Sequence, residues 1–306
     1  MHWHILGAGA IGQLWAGKLI KAGHKVTLIL RNREKLALYR QQPGLSITNN
    51  DGTERFLPQA TLAEECRTIE NLLVTTKAFA TLSAFNSVHS ALSHSARVLL
   101  LHNGMGPQQQ LVEAYPQLQI WAGSTTDGAY LTKPFELVQA GTGETRIGML
   151  SDNQTDLSNS DFAAQLKMID SDLIIENEIL PVLWRKLAIN CAINPLTAIY
   201  NCRNGELLKF TDRRAAMSQL CKEVEQVANA LNIPLFDRPL MEQAYDVAEI
   251  TGTNHSSMQQ DIQLNRPCEI EMITGYLCEA AGQAGVTVPA NQLALEAVRG
   301  LCNEQS

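Results

Sequence analysis

Gly7, Gly9 and Gly12 follow an apolar run within the first dozen residues, in "MHWHILGAGAIG", and this spacing constrains the chain more than any other feature. G-x-G-x-x-G between a strand and a helix is the phosphate-binding turn of a doubly wound α/β sheet. The first glycine permits the tight turn, the second lets backbone approach a pyrophosphate, and the third lets helix and strand pack closely. Gly7, Ala8, Gly9, Ala10, Ile11 and Gly12 are therefore candidate cofactor-binding residues. The helix N-terminus behind them favours phosphate charge through its unpaired amides and its dipole. A glycine turn that binds nothing is the plainer alternative.

The second strand, "KVTLIL", bears on which dinucleotide. NAD-binding turns place an acid about 20 residues on, to hold the ribose hydroxyls. Here the strand runs into Arg31-Asn32-Arg33. Arginine suits a 2′-phosphate through charge-assisted, often bidentate, bonds, so Arg31 points to NADPH. Two solvated arginines on a loop would read the same way.

Up to about residue 150, short β runs alternate with helical stretches, which predicts a largely parallel sheet covered on both faces. "LSITNNDGTERFL" reads as a hairpin turning at Asn50-Asp51-Gly52, and "FELVQAGTGETRIGML" as another turning at Gly141 to Gly143. "SDNQTDLSNSD", from Ser151, is polar and loop-like, and "DLIIEN" is one more short strand. Helices are then predicted over 178–200, 212–231, 237–250, 256–264, 270–284 and 289–301. The expectation is a Rossmann-type doubly wound domain at 1–176, then an all-helical domain at 177–306, with a ligand cleft at their junction. Lys77 and Asn103, in "VTTKAF" and "LLHNGMG", follow strands on the side where open α/β sheets bind ligands.

The first predicted helix of the second half carries "LWRKLAINCAINPLTAI". Lys186, Asn190 and Asn194 lie four apart on an otherwise apolar helix and so share one face. A nicotinamide cofactor implies hydride transfer, and a ketone so reduced needs a proton on its oxygen. A partly desolvated ammonium can supply it, while neutral amides orient the substrate. Spacing alone also fits Lys186 reaching solvent along its stem, with the asparagines tying down backbone at Pro195. Downstream, "TNHSSMQQD" places Asn254 at a plausible N-cap, with Ser256 and Ser257 in the first turn, a seat for a carboxylate. Glu269 opens the next helix, as a first-turn acid, a substrate anchor or a charge partner for Lys186.

Net charge of −7 argues against nucleic acid or an anionic membrane as partner, and runs such as "RVLLLH" are too short to cross a bilayer. Seven cysteines without a CxxC pair, behind a start unlike an export signal, predict reduced thiols in a cytoplasm; the sequons at Asn153 and Asn254 are then chance matches. No spacing suggests a metal site.

"LWRKLAINCAINPLTAIYNCRNGEL", supported by "GAGAIGQLWAGKL", "KAF", "LLHNGMG" and "SSMQQDI" in order, resembles the ketopantoate reductase (2-dehydropantoate 2-reductase) family along nearly the whole chain. The resemblance implies NADPH-dependent reduction of a small branched 2-oxo acid, for pantothenate and coenzyme A. It also implies a Rossmann domain joined to a helical domain similar to that of 6-phosphogluconate dehydrogenase; a monomer or homodimer is expected. Within it, Lys186 matches the general acid, Asn190 and Asn194 bind substrate, Ser257 contacts the carboxylate, and Glu269 holds substrate and assists the lysine. Lys77 and Asn103 match positions on the nicotinamide side, Asn204 and Asn254 match the pocket, and Ala129 the cofactor site. Cys268 and Glu271 stand where the family usually has threonine and aspartate, Thr274 precedes glycine where asparagine is usual, and Asn265 replaces a common glycine. These departures leave open a reductase of another branched 2-oxo acid or a β-hydroxy acid enzyme. A non-catalytic NADPH sensor is the rival of another class.

Overall fold

A computed structural model describes residues 1–42, 44–150, 161–170 and 172–303. The chain divides into two compact units, Met1–His102 with Pro107–Ile179, and Asn103–Gly106 with Leu180–Ser306.

The first unit contains β1 (His2–Leu6), α1 (Ala10–Lys21), β2 (Lys25–Leu30), α2 (Arg33–Arg40), β3 (Leu45–Asn49), β4 (Gly52–Phe56), β5 (Gln59–Leu62), β6 (Ile69–Val74) and α3 (Ala78–Val88). It continues with β7 (Leu92–Leu100), α4 (Pro107–Ala114), β8 (Gln119–Thr125), β9 (Gly128–Lys133), β10 (Glu136–Gly141), β11 (Thr145–Met149), α5 (Asp161–Ile169) and β12 (Leu173–Ile175). Eight strands form one sheet in the order β12-β11-β8-β7-β6-β1-β2-β5. Every neighbouring pair is parallel except β8 with β11. Alternation along the central strands splits their side chains between two cores. Trp3, Ile5, Leu73, Leu99 and Trp121 enter one, and Leu6, Leu72, Val74, Val98 and Ile120 the other. Both faces are covered, which is why these strands read as unbroken apolar runs.

A second sheet, β4-β3-β10-β9, adds Leu45, Ile47, Phe56, Phe135 and Leu137 to the core that holds Trp3. β3 and β4 are an antiparallel hairpin, as their turn residues predict. The hairpin predicted across Gly141 to Gly143 does not form. β10 pairs with β9 and β3, whereas β11 pairs with β8 and β12 in the larger sheet. The glycines mark a crossing between sheets rather than a reversal. Asp127, at the matching crossing from β8 to β9, explains the arrangement: its Oδ1 accepts from Gly143 N at 2.9 Å and its Oδ2 from Lys18 Nζ at 2.7 Å. The polar loop predicted from Ser151, with the sequon at Asn153, lies outside the described residues over 151–160.

The second unit is helical: α6 (Ile179–Ile199), α7 (Thr211–Ala230), α8 (Leu240–Ile250), α9 (Ser257–Gln263), α10 (Tyr276–Gln283) and α11 (Pro289–Asn303). One π-helical turn, Glu271–Gly275, opens the helix predicted over 270–284. α11 is anchored at its start by the buried carboxylate of Glu223 on α7. That group accepts from Ala290 N, Asn291 N and Asn291 Nδ2, all at 2.9 Å. Among the described residues no helix is long and apolar enough to cross a membrane.

Candidate active site

The glycine turn is built from both sides. Gly7 has φ +110°, a backbone state costly for residues with a Cβ, and an added Cβ would come within 2.7 Å of Thr76 N. A Cβ on Gly12 would sit 2.0 Å from Gly7 O, so α1 can approach the end of β1 only without one. Thr75 Oγ1, just past β6, donates to Gly7 O at 2.6 Å, and the buried Gln13 Nε2 donates to Ala8 O at 2.8 Å. Gly9 is different: a Cβ there meets nothing within 4 Å. No packing inside the protein requires that glycine, yet it caps α1, whose first turn holds no acid. An open helix N-terminus behind bare backbone fits a phosphate.

Arg31 and Arg33 are exposed just past β2, while Asn32 caps α2 by accepting from Lys35 N at 2.9 Å. Lys77 is half-buried at the cap position of α3, and Ala129 lies on β9 opposite Gln139. Asn103, expected like Lys77 on the nicotinamide side, lies in a segment that groups with the helical unit. There Met105 N donates to Met272 O at 2.8 Å, three residues past Glu269.

α6 runs unbroken through Lys186, Asn190 and Asn194, with Trp184, Leu187, Ala188, Cys191 and Ala192 buried around them. Asn194 and Glu269 are buried; Lys186 and Asn190 keep partial exposure. Desolvation draws the Lys186 ammonium down to about 8, partly opposed by the negative charge of Glu269. An amine so placed can hold and release a proton near neutral pH.

The start of α9 corrects one expectation. Ser256, not Asn254, is the N-cap: its Oγ accepts from Gln259 N at 3.1 Å. Its Oγ also lies 2.7 Å from Thr197 Oγ1, hydroxyl to hydroxyl, and Thr197 Oγ1 lies 2.9 Å from Asn194 O. The first turn of α9 is thereby tied to α6 at the third residue of the polar row. Asn254 is exposed outside the helix, and Ser256, three residues before Gln259, caps it through Gln259 N, while the Gln259 side-chain amide bonds Asn201 Oδ1 and closes no capping box. That pattern was available to reveal Ser256; nothing local marked Thr197. Ser257, the first residue of α9, is exposed. Asn204 is buried, with its N bonded to Asn254 O at 3.0 Å and its Nδ2 to Thr251 Oγ1 at 2.8 Å, so it holds the loop entering α9.

Comparison with known proteins follows the same division of the chain. Residues 3–152 match the family described as "Ketopantoate reductase PanE/ApbA", and residues 178–301 its C-terminal counterpart. The chain is similar to the 2-dehydropantoate 2-reductase of Salmonella typhi, 35% identical over 298 residues, covering 96% of this chain and 93% of that protein. It is 33% identical over 305 residues to the enzyme of the same name from Vibrio cholerae serotype O1, covering 99% and 97%. Among solved structures, a PanE/ApbA family ketopantoate reductase from Ralstonia eutropha JMP134 has a TM-score of 0.90 and 26% identity, covering 100% of this chain and 99% of that one. With both halves matched and the fold shared end to end, the chain belongs to the ketopantoate reductase family of oxidoreductases.

Proposed function

We propose that this protein reduces 2-dehydropantoate to (R)-pantoate with NADPH, serving pantothenate and coenzyme A synthesis. One observation carries the reading: a desolvated ammonium, Lys186, faces the carboxylate field of Glu269 on a helix that also presents Asn190 and Asn194. A purely structural lysine gains nothing from that setting; a general acid does.

NADPH fits the residues present. Gly7 to Gly12 would hold its pyrophosphate, and Arg31 its 2′-phosphate, in the absence of an acid at the end of β2. Lys77 and Asn103 would flank the nicotinamide, and Ala129 would complete the cofactor site. When bound, the cofactor supplies hydride to the ketone carbon. Lys186 Nζ then gives its proton to the oxygen that gains charge, and Glu269 keeps that amine protonated at neutral pH and holds the substrate. Asn190 and Asn194 orient carbonyl and hydroxyl without adding charge. Ser257, at the first turn of α9, receives the carboxylate, and Asn204 and Asn254 shape the loop leading into that turn.

Two departures from the family pattern bear on substrate identity. Glu271 binds Arg299 through both oxygens at 2.6 Å, and Cys268 Sγ lies 3.0 Å from Cys302 Sγ. Both side chains engage α11, so neither substitution argues against ketopantoate. The test is NADPH absorbance with purified protein and a panel of branched 2-oxo acids. Oxidation fastest with ketopantoate is expected. Faster turnover of another acid overturns the substrate, and tight NADPH binding with no oxidation overturns the enzyme reading.

A further inference from the structure

Among the described residues outside the proposed chemistry, three groups of reactive or charged side chains stand out. A cavity of about 470 Å³ is lined by Arg185, Glu225, Asp237 and Arg238, where acids balance bases and favour no ligand charge. His2 and His4 on the interior strand β1 lie ring to ring at 4.4 Å, tilted, with His2 bonded to Thr27 Oγ1 on the neighbouring β2, so they serve the sheet. The third is the pair of thiols joining the segment before Glu269 to the last helix.

Cys268 is buried, Cys302 is partly exposed, and their sulfurs are 3.0 Å apart although 34 residues separate them. An approach of about 1 Å more gives bonding distance. The surroundings are held in register: one turn away on each side, Glu271 and Arg299 form a bidentate ion pair, and Glu223 anchors the other end of α11. Cys66, Cys191, Cys202, Cys221 and Cys278 are free thiols.

We infer that Cys268 and Cys302 form a modification site for a small-molecule disulfide, closing reversibly to an intramolecular disulfide that clamps the residue before Glu269 to α11. The balance is simple. Cys302, the accessible member, attacks one sulfur of the incoming disulfide as thiolate; one small thiolate leaves and a mixed disulfide forms on Cys302. Cys268 then gives up its proton and attacks Cys302 Sγ, and the second small thiol leaves. Two protein thiols are oxidised and one disulfide is reduced to two thiols. Burial, and hydrogen bonding to Cys302, push the Cys268 thiol up to about 12, so it is the resolving rather than the attacking member.

The experiment treats the intact protein with oxidised glutathione, then reads intact mass, linked peptides and melting temperature, before and after dithiothreitol. Expected are a loss of two hydrogen atoms, a peptide linking 268 to 302, and a melting temperature raised by several degrees, all reversed by reductant. Cys302→Ser must lose the link and the shift; Cys268→Ser must stop at the mixed disulfide on Cys302. A persistent glutathione adduct on wild-type Cys302, or links confined to other cysteines, overturns the inference. Because the readout is covalent, it stands or fails independently of the reaction assigned to Lys186.

Discussion

Two lysines, one in each unit, face carboxylates and come out oppositely. Lys18 on α1 donates to Asp127 at 2.7 Å and Asp170 at 2.8 Å. Desolvation pulls its pKa down, but the hydrogen bonds and charges of two acids more than offset this, and the net shift is upward. Lys186 on α6 meets one carboxylate, that of Glu269, and desolvation prevails, bringing it to about 8. The difference teaches what separates a cross-brace from an amine able to exchange its proton near neutral pH. Enough partners lock the charge on; one partner in a dry setting leaves the proton exchangeable.

The sharpest way to break this contrast is to remove each amine. Lys186→Ala is expected to lower turnover on the order of 10²–10⁴-fold while leaving NADPH affinity largely intact, measured by steady-state kinetics and cofactor titration. Lys18→Met should do the reverse. It strands Asp127, whose side chain is fully buried, and is expected to cost about 3–5 kcal/mol of stability in urea unfolding, with turnover per folded molecule retained. A large kinetic loss in Lys18→Met would merge the two roles.

Smaller effects sharpen it. Arg31→Glu should weaken NADPH roughly 10–100-fold and leave NADH nearly unchanged, since it removes the charge-assisted contact proposed to the 2′-phosphate. Equal losses for both cofactors would remove the 2′-phosphate assignment. Arg299→Ala, at a half-exposed pair with Glu271, should cost only about 0–1 kcal/mol by thermal unfolding. The lysines also predict opposite pH responses in stability. The contribution of Lys18 is fully present below the ordinary lysine pKa and is lost as pH rises through its raised value. The folded form of Lys186 releases its proton first, so between about 8 and 10.5 its contribution to stability rises with pH.

The contrast also marks what could be read along the chain. Lys186, Asn190 and Asn194 announce themselves because helical periodicity is local, and the glycine turn because its flanks are contiguous. Lys18 gives no such sign: its partners are 109 and 152 residues away and meet it only when the sheets are assembled. The misread hairpin has the same origin. Gly141 to Gly143 punctuates a strand end correctly, but whether the chain reverses or crosses is decided by Asp127 and by pairing with β3, far upstream. Asn254 fits the cap by residue type, but Ser256 takes it through Gln259 N, and the Thr197 that holds Ser256 against α6 lies 59 residues earlier. Element positions follow from short-range pattern; partners across the core do not.

The most direct test is the pH dependence of kcat/KM for ketopantoate at saturating NADPH, wild type against Lys186→Ala. A basic limb with an apparent pKa near 8, activity falling tenfold per pH unit above it, and its absence in the variant are expected. A wild-type profile flat through pH 9, or a variant that keeps wild-type turnover, contradicts Lys186 as the acid.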